Sequence, residues 1–279
     1  MDLLVRTKEI CRIYNIKPAR DRGQNFLITE EIYNKIIKVS DLTKEDTVLE
    51  VGPGLGFLTA KLARRVKRVM AVEVDTKLAG VLKTSLLAKR IKNVKVVNKD
   101  ILQIHFSQFT SHNSLFKIVA NLPYNITSIF LRKFLSAEVK PNLMVLMLQK
   151  EVAERICART GEMSLLAVSV QFYSQPRIVE YVNRDNFWPE PEVDSAIVKI
   201  KVKKVKPEVK EKKFFQMVKF GFSARRKMLK NNLAAGYRVK PSETEEWLKL
   251  ANLDLNVRAQ DLSLNNWLKL FGVLEENML

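Results

Sequence analysis

The tetrapeptide Asn121-Leu122-Pro123-Tyr124 sets a side-chain amide oxygen, a backbone carbonyl and an aromatic ring close together in the chain. Proline restricts the local φ, so Pro123 helps to aim the Leu122 carbonyl. Two acceptors so placed can hold the two N–H bonds of an exocyclic amine such as the 6-amino group of adenine. That nitrogen is a poor nucleophile, because its lone pair is delocalised into the ring. Holding both N–H bonds favours a pyramidal nitrogen whose lone pair points at an electrophile, with no strong base required. Tyr124 can stack on the base once it has left its helix. A plain β-turn of Asn and Pro is the alternative reading, and the position after the strand pattern Lys117–Asn121 argues against it. Phe187, in the Pro-rich stretch Phe187–Pro191, can close the other face of such a base. For any single Phe, burial in a core is the commoner role.

The electrophile needs its own pocket. Glu50-Val51-Gly52-Pro53-Gly54-Leu55-Gly56 begins at the end of an apolar run, Thr47–Val51, and leads into a helical pattern. Glycines there let the backbone turn sharply and pass close to a ligand. The spacing is G-x-G-x-G, not the G-x-G-x-x-G of dinucleotide folds, and no Gly-Lys-Ser/Thr follows, so a pyrophosphate ligand is disfavoured. Gly52 and Gly54 are therefore candidate cofactor contacts. Glu73 ends the next strand pattern, where a carboxylate can accept from both ribose hydroxyls. Asp100 follows the third, where a carboxylate can accept from the amine of an adenine ring. Each acid alone reads as a solvated strand end or a helix cap. Together, at successive strand ends, the three features fit an adenosyl ligand. NAD and S-adenosylmethionine both carry adenosine, and the glycine spacing points to S-adenosylmethionine, a methyl donor.

These residues must be held by an alternating fold. Thr47–Val51 reads as a buried strand, and Arg68–Val74, Val94–Asn98, Lys117–Asn121 and Leu143–Leu148 read as further strands. Phe57–Arg65, Lys77–Lys89, Thr127–Leu135 and Lys150–Ala158 read as helices between or after them. Such alternation predicts an α/β domain, a Rossmann-like parallel sheet with helices on both faces. Pro176–Val182 and Ala196–Val202 alternate like two antiparallel strands. Lys201–Lys213 then reads as the end of a strand running into a charged linker, followed by helices at Phe214–Ala235, Pro241–Ala251 and Ser263–Phe271. The expected organisation is a larger domain over residues 1–205 and a small α-helical domain over residues 206–279.

The chain has 279 residues and is 47% hydrophobic, with a formal net charge of +18. That excess suggests a polyanionic partner, nucleic acid before a membrane surface. Fifteen Lys or Arg fall between Lys199 and Lys240 against two acids, Glu208 and Glu211. Arg225, Arg226, Lys227 and Lys230 lie close together there, and on one helix they would grip phosphates. A solvated, Lys-rich surface is the bland alternative. No apolar run reaches the roughly eighteen residues of a membrane span, and the start of the chain has no apolar signal region. Cys11, Cys157, His105 and His112 have no metal-ligand spacing, so no metal is expected. The expectation is a cytoplasmic monomer with reduced thiols.

With these residues assembled, the sequence resembles the ribosomal RNA adenine dimethyltransferase family. The matching stretches are Gly23–Leu27, Glu50–Thr59, Val72–Asp75, Asn121–Asn125, Gln149–Ile156, Phe187–Ala196 and Phe222–Leu233. The resemblance implies a class I methyltransferase fold and S-adenosylmethionine as methyl donor. It places Asn25 and Leu27 with Gly52, Glu73, Asp100 and Asn121 in the cofactor site. It places Asn121, Leu122, Tyr124 and Phe187 around the target adenine. The roles of Asn25 and Leu27 come from the resemblance alone.

Two branches of that family are relevant. One dimethylates two adjacent adenosines in the 3′-terminal hairpin loop of 16S rRNA, in an immature small ribosomal subunit. The other modifies 23S rRNA and confers macrolide resistance. The basic stretch Phe222–Leu233 resembles the first branch. A mainly non-catalytic assembly checkpoint factor, a DNA adenine methyltransferase and a small-molecule methyltransferase are the further readings. The intact Asn121–Tyr124 corner, the RNA-family stretches and the net charge respectively weigh against them.

Overall fold

The computed structural model describes residues 2–18, 23–104, 116–203 and 210–277. His105, His112 and the expected boundary between residues 205 and 206 lie outside these ranges.

The chain begins with helix α1 (Leu3–Ile13), a two-residue strand β1 (Phe26–Leu27) and helix α2 (Glu30–Val39). The alternating region follows: β2 (Thr47–Val51), α3 (Phe57–Ala63), β3 (Arg68–Glu73), α4 (Thr76–Ala88), β4 (Val94–Asn98), β5 (Phe116–Asn121), α5 (Thr127–Leu135), β6 (Leu143–Gln149) and α6 (Lys150–Ile156). After α7 (Leu165–Tyr173) come β7 (Ser174–Val182), the short β8 (Phe187–Trp188) and β9 (Ser195–Val202). Among the described residues the main sheet has seven strands in the order β4-β3-β2-β5-β6-β9-β7. The pairings from β4 across to β6 are parallel, and β9 runs antiparallel to β6. The α/β expectation holds. The central strands β5 and β6 are buried almost throughout, as strands covered on both faces must be. Their hydrophobic cluster joins Val48, Val119, Val145 and Ile197 of the sheet to Ile36 of α2 and Leu62 of α3.

Chain order explains where a ligand goes. All parallel strands point their carboxyl ends the same way, and the order reverses between β2 and β5, from whose ends Glu50–Gly56 and Asn121–Tyr124 emerge. A crevice outside strand ends at such a switch point is where open α/β sheets bind ligands.

The chain divides into two compact units, one of Met1–Ala153 with Gln175–Val202, the other of Glu154–Ser174 with Lys203–Leu279. The second unit is helical: α7, α8 (Glu211–Gly221), α9 (Leu229–Tyr237), α10 (Pro241–Leu250) and α11 (Leu264–Asn277). It takes α7 from mid-sequence, which a split at a single point does not anticipate. The α7 sequence Leu-Leu-Ala-Val-Ser-Val-Gln-Phe-Tyr is apolar on nearly every side, as suits a buried helix. Phe172 stacks on Phe214 with ring centroids 4.9 Å apart.

One expected helix is in fact two. Phe214–Ala235 breaks after Gly221 and restarts at Leu229. The buried Asn232 side chain explains the break, because its Nδ2 donates to the carbonyls of Gly221 (2.6 Å) and Ala224 (3.0 Å). Those carbonyls are thereby satisfied without a continuing helix. Arg225, Arg226 and Lys227 therefore sit exposed in a loop, and only Lys230 is on α9. Lys230 is also engaged, 2.6 Å from Glu245.

Two glycines make opposite predictions. Gly56 has φ +79°, and an added Cβ would lie 2.4 Å from Leu82 Cδ1. Gly56→Ala should destabilise the protein by about 1–3 kcal/mol. Gly80, inside α4, faces open space, so Gly80→Ala should stabilise by about 0.5–1 kcal/mol. Thermal unfolding of both variants checks the pair; equal melting temperatures would contradict it.

Candidate active site

The cleft at the switch point is lined by the loop after β2, the end of β3, the turn after β5 and the segment around β1. Each part is fastened by a specific bond. The Gly52 amide donates to Val72 O (3.0 Å) and the Gly56 amide to Pro53 O (2.9 Å). The Gly54 amide donates to Glu73 Oε2 (3.1 Å), while Glu73 Oε1 accepts from the Asp75 amide (3.0 Å). Gly54 has φ +52°, and a Cβ there would come 3.2 Å from the Phe26 ring. Glycine thus meets both a backbone and a space requirement.

Glu73 is buried, which raises its carboxyl pKa; the amides of Asp75 and Gly54 work in the opposite direction. Its carboxylate retains acceptor capacity after those two bonds. Glu50 lies deeper, at 1% exposure, and its Oε2 has no hydrogen-bond partner. Burial pushes the Glu50 carboxyl up to about 8; Thr59 opposes this and the neighbouring Glu73 charge adds to it. Sequence reasoning assigns Glu50 no role of its own. A carboxylate in the otherwise apolar strand Thr-Val-Leu-Glu-Val is the available signal.

The turn after β5 faces this loop. A Cβ on Gly52 would lie 3.5 Å from Pro123 Cδ and 3.7 Å from the Asn121 carbonyl oxygen. Asn121 Nδ2 donates to the Asn25 carbonyl at 3.3 Å. A carbonyl partner demands the nitrogen side of the amide, so Oδ1 is left as the free acceptor. The Leu122 amide donates to Met147 O (3.2 Å), which anchors the turn to β6. The Tyr124 hydroxyl is 2.6 Å from Ser195 Oγ, at the start of β9. Burial raises the Tyr124 phenol, with the Ser195 bond opposing. Ser195 is a positioning residue that sequence reasoning places only within a matching stretch.

The N-terminal segment is clasped over the site. β1 pairs antiparallel with β8, Leu27 opposite Phe187 and Phe26 opposite Trp188. Tyr33 donates to Leu27 O (2.9 Å), and the Ile28 amide to Asn186 O (2.9 Å). Asn25, Leu27, Gly52, Gly54, Glu73, Asn121, Leu122 and Tyr124 thus gather around one cleft. Two expected residues do not line it. Phe187 is buried in the cluster that contains Leu27. Asp100 caps the turn Ile101–Gln103, accepting from the Leu102 amide at 2.8 Å. Arg225, Arg226, Lys227 and Lys230 belong to the helical unit described above.

A model of the ribosomal RNA adenine dimethylase family matches residues 16–276. A ribosomal RNA small subunit methyltransferase A from Dehalococcoides mccartyi is 43% identical over 277 residues, covering 99% of this chain and 94% of its own. A protein of the same name from Enterococcus faecalis is 38% identical, with coverage of 98% and 95%. Among solved structures, a dimethyladenosine transferase from Plasmodium falciparum has TM-score 0.75 and 28% identity, covering 90% of this chain and 96% of that one. The 23S rRNA methyltransferase ErmE has TM-score 0.74 and 28% identity, with coverage of 90% and 100%.

Glu50 makes the cleft sensitive to pH. Native Glu50 keeps its proton up to about pH 8, whereas the unfolded chain loses it in the usual carboxylate range near 4.5. The contribution of this group to stability is therefore complete below the unfolded value and is lost as pH rises through the native one. Glu50→Gln cannot ionise. Its melting temperature relative to wild type should climb by several degrees between about pH 5 and 9, corresponding to a few kcal/mol. A constant difference across that range would refute this account of Glu50.

Proposed function

The chain belongs to the ribosomal RNA adenine dimethylase family, and on that premise we propose that it dimethylates the N6 amines of two adjacent adenosines in the 3′-terminal hairpin loop of 16S rRNA. The donor in this reading is S-adenosylmethionine, and the substrate is RNA in an immature small ribosomal subunit. One observation carries the proposal: the glycine loop and the Asn121–Pro123 turn lie so close that a Cβ on Gly52 would touch Pro123 Cδ at 3.5 Å and the Asn121 carbonyl at 3.7 Å. A donor against the first and an amine on the second are then neighbours.

The residues fit an adenosyl donor. Gly54 leaves a space that a Cβ would crowd, Glu73 presents a buried carboxylate, and the buried Glu50 Oε2 lacks a partner. Glu73 would take the ribose hydroxyls, with Asn25, Leu27, Gly52, Gly54 and Asn121 completing the site; Asp100, outside the lining described above, would take the adenine amine with the oxygen not bonded to Leu102. When bound, S-adenosylmethionine supplies an electrophilic methyl on a sulfonium.

The protein's part is positioning. Asn121 Oδ1, set free by the bond from Nδ2 to Asn25, accepts one N–H of the target amine, and the Leu122 carbonyl accepts the other. The nitrogen is thereby held pyramidal, with its lone pair toward the donor. Tyr124, steadied by Ser195, stacks on one face of the base. Phe187, buried with Leu27 in the β1–β8 pairing, would support the N-terminal segment behind the site. A second transfer requires that the site admit an amine already carrying one methyl. Arg225, Arg226, Lys227 and Lys230 would hold phosphates of the RNA, the first three as an exposed loop.

The deciding experiment offers labelled S-adenosylmethionine with unmethylated small-subunit particles and, separately, large-subunit rRNA. N6,N6-dimethyladenosine in the small-subunit RNA alone is the expected product. Label only in large-subunit rRNA would move the assignment to the 23S branch, and label in neither would favour an assembly factor. Asn121→Ala should retain RNA binding while turnover falls by about 10²-fold or more; near-normal turnover would remove Asn121 from the chemistry.

Reversing charge at Arg225 and Arg226 should weaken RNA binding and flatten its salt dependence. An unchanged slope of affinity against salt would leave those residues idle.

A further inference from the structure

The opposite end of the same sheet carries a second cleft, of about 510 Å³, far from the glycine loop along the strands. Lys117 lies at its floor. It is four residues before Asn121 on β5, or roughly 13 Å away at 3.3 Å per residue. Strand register builds the rest. Lys117 pairs with Leu143 of β6, and Leu143 pairs with Lys201 of β9. Paired residues share a face, and so do residues two apart, so Lys199 joins Lys117 and Lys201 there. Arg177 of β7 completes the wall.

Four cations therefore converge on one cleft, and the acids nearby offset only two of them. Lys117, 7% exposed, donates to Asp46 Oδ2 at 2.8 Å and to the Asp41 carbonyl. Burial would raise the Asp46 carboxyl, but the bond from Lys117 and the Thr43 amide hold it below its ordinary value. Lys199 pairs with Asp41 at 2.5 Å. Arg177 and Lys201 are exposed and have no acidic partner among the described residues. Structural pairing thus explains Lys117 and Lys199 but not Arg177 and Lys201. A concave surface lined by unbalanced positive charge attracts and concentrates anions.

We propose that this cleft is a second RNA-binding site, which takes backbone phosphates on Arg177 and Lys201 from a segment of the substrate other than the one entering the active site. The inference rests on the reading of the chain as an rRNA methyltransferase. It requires a substrate long enough to reach both ends of the sheet.

The test compares wild type with Arg177→Gln/Lys201→Gln. Binding of a short hairpin RNA carrying only the target loop, and of full-length small-subunit rRNA, is measured across a KCl series. Every phosphate that the variant no longer neutralises should lower the salt slope by about 0.7–0.9, so for the long RNA the slope should fall by about 1.5 and affinity by about ten-fold at roughly 0.1 M salt. Hairpin affinity should be unchanged. The charge-retaining Arg177→Lys/Lys201→Arg should restore the long-RNA slope, which separates charge from packing.

An unaltered slope with the long RNA overturns the proposal. So does an equal loss on the hairpin, which would assign these cations to the active-site segment. If the long-RNA slope is unaltered while low-millimolar inorganic phosphate, compared with KCl at equal ionic strength, raises the melting temperature of wild type and not of the double variant, the cleft holds a free anion and not RNA. Absence of methylation of unmethylated small-subunit particles by the wild type would instead count against the proposed function, while the slopes would still report on the cleft.

Discussion

The bond from the Gly54 amide to the Glu73 carboxylate connects the loop after β2 to the end of β3, and much of the cleft depends on it. A loop able to pass close to a ligand has few side chains to pack and must be fixed through its backbone. Here a buried acid does this from the neighbouring strand, with its second oxygen on the Asp75 amide. The same carboxylate then fixes the start of α4, because Asp75 is the cap of that helix and accepts from Lys77 and Leu78. One side chain thus orders a loop, a strand end and a helix start, and retains acceptor capacity for a ligand.

The corresponding device at the turn proposed to hold the amine is the Asn121–Asn25 bond. An Asn side chain is ambiguous until something fixes which end faces the substrate. The carbonyl of Asn25 removes the ambiguity, so the acceptor face depends on a residue 96 positions away in sequence. That gives the clasp of the segment around β1 against β8 a purpose: loosening it would disturb the Asn121–Tyr124 turn from outside the cleft. Tyr124 is handled in the same way by Ser195. Both supports come from outside the motif they support.

This separation explains what is legible in the sequence. The apolar strands and the helices between them are readable because each is dictated locally, by runs such as Thr47–Val51 and Val94–Asn98, whose bounds the structure reproduces. The glycine loop, Glu73 and Asn121–Tyr124 are readable because chemistry constrains residue types at strand ends. Helices α1, α2 and α7 escape the sequence pattern, and the break at Gly221 is not visible in it, because Asn232 makes it by reaching back 11 residues. Asp100 can be placed after its strand, but its capping of Leu102 cannot. Glu50 is passed over because nothing local distinguishes a strand acid that is buried from one that is solvated.

Charge distribution completes the argument. A net charge of +18 is a property of the whole chain, and its usefulness depends on which cations the fold leaves unpaired. In the helical unit, Lys230 is offset by Glu245 while the loop Arg225–Lys227 stays exposed. In the sheet unit, Lys199 is offset by Asp41 and Lys117 by Asp46, while Arg177 and Lys201 have no acidic partner among the described residues. The fold therefore sorts its lysines and arginines into structural ties and free ends, and the free ends are what a long polyanion meets. An RNA held only at the target loop would leave the remaining free cations without a role. One that also contacts the far end of the sheet would be oriented at both ends of the strands that deliver Asn121, so that the geometry of the amine-holding turn and the grip on the wider substrate derive from the same rigid element.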